Sequence, residues 1–139
     1  MIIKAGTHLH FDGQCKEALQ FYAECLDGKV VYSMTWNESP MADHIDSEMK
    51  EKIIHARFEF GSEYFTADDP LPGNYSKPQG MHIMLLFKNF TEAEKVYSQL
   101  SNEAREIPMR FAKTFWSPGF AIFIDRFGTP WMINCEPEN

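Results

Sequence analysis

The chain has 139 residues, of which 44% are hydrophobic and 14% aromatic, enough apolar side chains to bury the core of one domain. Its formal net charge of −7 repels phosphate backbones and anionic membrane surfaces, so we expect neither nucleic acid nor a membrane as a partner. The three cysteines form no C-x-x-C pair and the N-terminus has no apolar stretch of the signal-peptide kind, a combination typical of a cytoplasmic protein with free thiols.

The first half of the chain is predicted to form one strand, one helix and three more strands. Ile2–Phe11 has the pattern of a strand, which the Asp12-Gly13 pair ends. Apolar residues then recur at helical spacing through Gln14–Leu26, and Asp27-Gly28 closes this helix. After it, strands are predicted at Val30–Trp36, Ile53–Phe60 and Tyr64–Asp68, with a long loop over Asn37–Lys52.

The second half repeats this order of elements. A strand at Met81–Phe87 leads into a T-x-x-E sequence, Thr91–Glu94, which has the pattern of a capping box at a helix start. The helix is followed by predicted strands at Ile107–Thr114, Phe120–Asp125 and Trp131–Cys135.

Short sequence matches support an internal duplication. Phe60–Phe65 resembles Phe127–Met132, and both lie late in their half of the chain. The fold predicted is therefore α+β, one domain over residues 1–139 made of two βαβββ modules, at about 1–70 and about 79–139. Each helix would cover one face of a small curled sheet, and the other face would line a cleft.

Four segments resemble the PhnB-like family of the vicinal-oxygen-chelate superfamily, which also contains the glyoxalase and bleomycin-resistance proteins. They are Leu9–Gly13 with Glu17–Tyr22, Ile54–Phe58, Thr114–Trp116 and Asp125–Asn134, the last being the most specific. The resemblance implies paired βαβββ modules and a homodimer with a cavity inside each curled sheet. It implies no single reaction, because members isomerise, cleave rings, open epoxides or sequester drugs.

Catalytic members of the superfamily hold a divalent metal with His or Glu from the first and last strand of each module. Aligning the two halves through the duplication puts Gly6, Phe65, His82 and Met132 at these four positions. Only His82 offers a good ligand for such a metal, so the usual site is expected to be absent and no cofactor is expected. If a metal is bound, its predicted ligands are His8, His10 and His82, since an H-x-H pair on a strand shares one face.

The aromatic residues predict a small-molecule site. Trp36 precedes the long loop, and Phe115 and Trp116 resemble the segment at the cavity edge in the family. The ligand-binding residues predicted are His8, His10, Trp36, His82, Phe115, Trp116 and Asn134. Among other residues, Cys15 and Cys25 are expected to be buried, Cys135 partly exposed, and Asp68-Asp69 part of a solvated turn.

The leading interpretation is a homodimer that binds a small organic molecule in an aromatic-lined cavity. The first alternative is a metal-dependent isomerase, lyase or dioxygenase, with Glu63 or Tyr64 near the histidines as acid or base. The second is a structural or regulatory partner protein whose cavity is filled by Phe65, Met84 and Met132. Some relatives carry a ubiquinone-methyltransferase label, but the first strand lacks a glycine-rich loop after it to hold S-adenosylmethionine.

Overall fold

A computed structural model describes residues 1–138 of the chain, so the last residue of the predicted second module lies outside the described residues. The chain divides into two compact units, Met1–Ser76 and Lys77–Asn139. Each unit is a four-stranded sheet with one α-helix, in the order βαβββ. The predicted fold class is confirmed.

The first unit contains β1 (His8–His10), α1 (Cys15–Leu26), β2 (Lys29–Thr35), β3 (Ile53–Phe60) and β4 (Glu63–Asp68). The sheet order is β1-β4-β3-β2, with β1 parallel to β4 and the other pairs antiparallel. The first strand is shorter than predicted from Ile2–Phe11, because the ladder with β4 spans three residue pairs.

An aromatic core joins α1 to one face of this sheet. Tyr22 of α1 is fully buried and contacts Phe11, Phe58 and Phe65 at ring-centroid distances of 6.1 to 6.5 Å. Phe58 and Phe65 stack on neighbouring strands at 5.1 Å. Aromatic side chains bury large apolar areas, so this cluster supplies much of the stability of the unit.

The buried residue Asp69 ties three elements of the first unit together through its carboxylate and its backbone carbonyl. Its Oδ1 accepts from the backbone N–H of Cys15, the first residue of α1, and its Oδ2 from that of Ile53, the first residue of β3. The Trp36 indole donates to the Asp69 carbonyl. Burial raises the pKa of Asp69, although both N–H bonds and Lys52 favour the ionised form. The prediction of a solvated turn was wrong, because α1 has no side-chain cap of its own and this residue serves as one.

The long loop is more ordered than its sequence suggested. It contains short 3₁₀ turns at Trp36–Glu38, Ala42–His44 and Ser47–Met49. The first turn carries a reciprocal capping box between Thr35 and Glu38, and hydrogen bonds from Thr35 lower the pKa of Glu38.

The second unit contains β5 (Ile83–Phe87), α2 (Phe90–Leu100), β6 (Glu106–Ala112), β7 (Phe120–Ile124) and β8 (Pro130–Cys135). Its sheet order is β5-β8-β7-β6, again with the first and last strands parallel. The predicted capping box was wrong here, because α2 begins one residue earlier than Thr91 and the cap is Asn89, whose Oδ1 accepts from Glu92 N–H.

The family-like segment Asp125–Asn134 is largely structural. Asp125 is fully buried and accepts from the backbone N–H groups of Phe127 and Thr129 and from the Trp131 indole, at 2.7 to 3.0 Å. Cys135 is 1% exposed rather than partly exposed, because it lies on the face of β8 that also buries Ile133. No helix among the described residues is long and apolar enough to cross a membrane.

Replacing Asp69 with Ala should lower the free energy of unfolding by about 2–5 kcal/mol, because two buried backbone N–H groups lose their acceptor. Asp69→Asn should cost less, since one acceptor oxygen remains. Urea denaturation of the variants measures both effects. Asp46→Ala is the control: its exposed side chain makes no cap hydrogen bond, so it should change stability by less than about 0.5 kcal/mol.

Candidate functional site

The first sheet has one face that α1 does not cover. Because strand residues alternate between faces, burying Leu9, Phe58 and Phe65 under α1 turns their neighbours to the other side. We call this the open face; it carries His8, His10, His55, Arg57, Glu59, Tyr64, Thr66 and Asp68. These side chains are polar or aromatic, and all are exposed or half-buried.

Two histidines and a carboxylate converge at one end of the open face. Asp68 Oδ1 lies 2.5 Å from His10 Nδ1 and 3.3 Å from His8 Nε2. One potential ligand atom from each of the three residues lies within 4.8 Å of the others. The side chain of His10 is 54% exposed, that of His8 36% and that of Asp68 18%, so solvent and small molecules reach them.

The strand register produces this convergence. β1 and β4 are parallel neighbours, with His8 opposite Thr66 and His10 opposite Asp68. The hydrogen bonds from Thr66 N to Thr7 O and from Phe11 N to Asp68 O continue the ladder at both ends. The backbone thereby fixes which side chains meet.

Neighbouring groups hold the rings in place. Thr66 Oγ1 lies 2.6 Å from His8 Nδ1, on the side of the imidazole away from Asp68. The His55 ring stacks on that of His8, with centroids 6.0 Å apart and planes at 14°.

The rest of the open face combines charge with an aromatic surface. The Arg57 guanidinium lies 3.7 Å from the Tyr64 ring centre and donates to Glu59 at 3.0 Å. Lys4 also lies near this ring, 3.9 Å from its centre. Tyr64 is therefore flanked by two cations, and Glu59 balances the charge of one of them.

The usual metal positions of the superfamily must be reassigned in the first unit. Phe65 is 2% exposed and packs under α1, so the prediction that it occupies a ligand position was wrong. The match of Phe60–Phe65 to Phe127–Met132 gave the wrong residue because the hairpin turns of the two units differ in length. Phe60 pairs with Glu63 across a turn of two residues, whereas Ile124 pairs with Pro130 across a turn of five. Pairing with β1 and β5 makes Thr66 the counterpart of Met132.

The reassigned set is Gly6, Thr66, His82 and Met132, which still contains one strong ligand. It does not fit a metal of the kind that catalytic members use, because a hydroxyl and a thioether are weak ligands for it. Because Phe65 packs under α1, it also cannot fill a cavity on the open face, as the structural or regulatory interpretation required.

Trp36 lies in the core instead of beside the open face. It is 8% exposed and packs with Ile45 and Met49, and its indole N–H donates to the backbone carbonyl of Asp69. A role in direct ligand contact is not supported by this burial.

The remaining predicted ligand-binding residues belong to the second unit. His82 is exposed and precedes β5, and Phe115 and Trp116 are 97% and 43% exposed in the β6–β7 loop. Asn134 lies on β8 beside Leu86, and within residues 1–138 its buried Oδ1 has no hydrogen-bond partner.

A cavity of about 480 Å³ lies on the other side of the first sheet, between α1 and β2. Its lining includes Lys16, Gln20, Ser33, Thr35 and Asp69 and has no aromatic side chain. It is therefore not the predicted aromatic-lined cavity.

Comparison with known proteins identifies the family of this chain. The family model described as 3-demethylubiquinone-9 3-methyltransferase matches residues 3–134. The chain belongs to this family. The crystal structure of PA1353 from Pseudomonas aeruginosa is 32% identical, with a TM-score of 0.84 over 97% of this chain and 100% of that one. Protein YjdN of Escherichia coli (strain K12) is 27% identical over 96% of this chain and 95% of its own length.

More distant structures show the fold. A PhnB protein from Bacillus cereus is 22% identical, with a TM-score of 0.80 over 95% of this chain and 98% of that one. The fosfomycin resistance protein FosX of Listeria monocytogenes is 10% identical, with a TM-score of 0.65 over 99% and 96%. The family model thus confirms the predicted family resemblance, and these structures confirm the predicted fold.

Sequence reasoning missed Asp68 and Thr66 as members of the site. Their side chains belong to the open face because Leu9 pairs with Ala67 and both are buried. The alternation of Tyr64, Thr66 and Asp68 along β4 was the available signal, but the register with β1 is a tertiary property.

The alternation along β1 gives a direct test of which residues serve the fold. Leu9→Ala should lower the free energy of unfolding by about 2–4 kcal/mol, because Leu9 is 8% exposed in the core. His8→Ala and His10→Ala should each cost less than about 1 kcal/mol, since their bonds lie at the surface. Urea denaturation at neutral pH measures all three, and equal losses would make the histidines structural.

Proposed function

We propose that this PhnB-like protein binds a small organic molecule on the open face of the first sheet. The observation that carries the proposal is the composition of that face, on which imidazole, phenol, hydroxyl and charged groups lie close together. Ligand sites typically combine aromatic surface with a few convergent polar groups.

Different residues of the open face would make different kinds of contact with the ligand. His8 and His10 offer ring edges for hydrogen bonds, and Tyr64 offers an aromatic ring flanked by Arg57 and Lys4. Because Glu59 already pairs with Arg57, the face favours a ligand of moderate polarity over a strongly charged anion.

A metal-dependent isomerase, lyase or dioxygenase is the second candidate, favoured by the convergence of His8, His10 and Asp68. A FosX variant is described in complex with Mn(II) and 1S,2S-dihydroxypropylphosphonic acid, and it shares the fold of this chain. Tyr64, on the same face, would then be the nearby acid or base.

Ligand binding is best found by a thermal-shift screen of the full chain against small organic molecules, with 1S,2S-dihydroxypropylphosphonic acid included. Hits are then titrated by calorimetry. His10→Ala and Tyr64→Ala should each weaken binding by about 10-fold or more, which corresponds to about 1.4 kcal/mol of lost contact.

His44→Ala is the matched control for this screen, because His44 is an exposed histidine in the loop before β3. It should leave affinity unchanged. Hits that weaken instead in His82→Ala, Trp116→Ala or Asn134→Ala would move the site to the second unit. A screen without hits would favour the structural or regulatory partner role.

The predicted homodimer is proposed on separate grounds. β2 and β6 each form one edge of their sheet, and both expose apolar residues. Val30, Val31 and Tyr32 on β2 are 41%, 42% and 48% exposed, and Ile107 and Met109 on β6 are 47% and 38% exposed. Exposed apolar edges favour association, so they give a second copy of the chain a surface to cover.

Light scattering after size exclusion measures this association. The wild type should have about twice the mass of one chain, and Val31→Lys should shift it toward the monomer because a charge would be buried at the contact. Lys29→Glu, at the exposed start of the same strand, controls for a charge change. A monomeric wild type would contradict the proposal.

Methyl transfer, which the description of the family model names, is not the proposed activity. The turn after β1 is Asp12-Gly13-Gln14, with one glycine where a cofactor loop of this kind uses several. Calorimetric binding of S-adenosylmethionine would contradict this expectation.

A further inference from the structure

We propose that His8, His10 and Asp68 form a binding site for a divalent transition-metal ion of the zinc class, with all protein ligands supplied by the first unit. The site lies on the face proposed for the organic ligand, but its geometry requires no organic molecule. Its ligands also differ in position from Gly6, Thr66, His82 and Met132, the residues that correspond to the metal positions of the superfamily.

The three ligand atoms lie within 4.8 Å of one another, and side-chain rotation can bring them to the spacing that such an ion needs. Bonds of about 2.0–2.1 Å to nitrogen and oxygen place tetrahedral ligands roughly 3.3 Å apart. His8 Nε2 and Asp68 Oδ1 are 3.3 Å apart. His10 Nδ1 and Asp68 Oδ1 are 2.5 Å apart and joined by a hydrogen bond, which the ion would replace. All three side chains are exposed or half-buried, so the rotation needed meets little packing resistance.

The hydrogen bond of His8 suits ligation through Nε2, because Thr66 Oγ1 is able to accept from Nδ1–H when Nε2 binds the ion. When Nδ1–H donates to Thr66 Oγ1, the lone pair of Nε2 points toward Asp68. A partner of this kind on the far side of a metal-binding imidazole fixes its tautomer and orientation. Thr66 is therefore a positioning residue for the ion, and His55 supports the same ring by stacking.

The ligand set determines the class of ion. Two imidazoles and one carboxylate suit Zn(II), Co(II), Ni(II) or Fe(II), whereas Mg(II) and Ca(II) prefer oxygen ligands throughout. Three protein ligands leave at least one coordination position open, and the exposure of His10 makes that position accessible. The net charge of −7 favours cation binding in general, but the imidazoles give selectivity.

The test is calorimetric titration of untagged, chelator-treated full chain with Zn(II), together with the visible absorption spectrum of bound Co(II). Wild type should bind one ion per chain, and a large excess of Mg(II) should not displace it. His10→Gln and Asp68→Asn should each weaken Zn(II) binding by about 100-fold or more and abolish the Co(II) spectrum, and Thr66→Val should weaken it by about 10-fold.

His82→Gln and His44→Gln are the matched controls, since each removes an exposed imidazole outside the proposed ligand set. Both should keep one tightly bound Zn(II). Circular dichroism of the metal-free variants identifies any that fail to fold. If His10→Gln or Asp68→Asn fails to fold, the Zn(II) affinity of the other variant tests the site. Zn(II) affinity unchanged in Asp68→Asn and His10→Gln would overturn the site. A loss in His82→Gln as large as in His10→Gln would also overturn it. Because no organic ligand is present, failure here leaves the proposed small-molecule function standing.

Discussion

In each unit the first and last strands run parallel as neighbours, and the candidate site depends on this pairing. Hydrogen bonds between β1 and β4 place His8 opposite Thr66 and His10 opposite Asp68. A shift of one residue would turn these side chains under α1 and bring Leu9 to the surface. The burial of Leu9 and Ala67 therefore fixes the register and, through it, the open face.

The same architecture carries different chemistry in the second unit. By the parallel register, the counterparts of His8, His10 and Asp68 are Met84, Leu86 and Asn134. Met84 and Leu86 are more than half exposed, so the equivalent face is largely apolar. The duplicated modules thus share a scaffold, and among residues 1–138 the cluster of imidazole and carboxylate groups lies in the first.

In both units a buried carboxylate accepts hydrogen bonds from backbone N–H groups. Asp69 accepts from two backbone N–H groups that begin α1 and β3, and Asp125 accepts from two in the turn between β7 and β8. Each also has an indole beside it, from Trp36 to the Asp69 carbonyl and from Trp131 to the Asp125 side chain. These acidic residues serve the fold, whereas the Asp68 side chain, one residue before Asp69, lies half-buried on the open face beside His8 and His10.

The sequence alone determined the element order, the duplication and the family, because hydrophobic periodicity and the Asp125–Asn134 segment are local properties. It also indicated that His8 and His10 share a face, since strand side chains alternate. Tertiary structure decided their partner. Asp68 lies 58 residues from His10, and the match of Phe65 to Met132 failed because the hairpin turns differ in length. Strand pairing is set by the burial of residues distant in sequence, which local patterns do not encode.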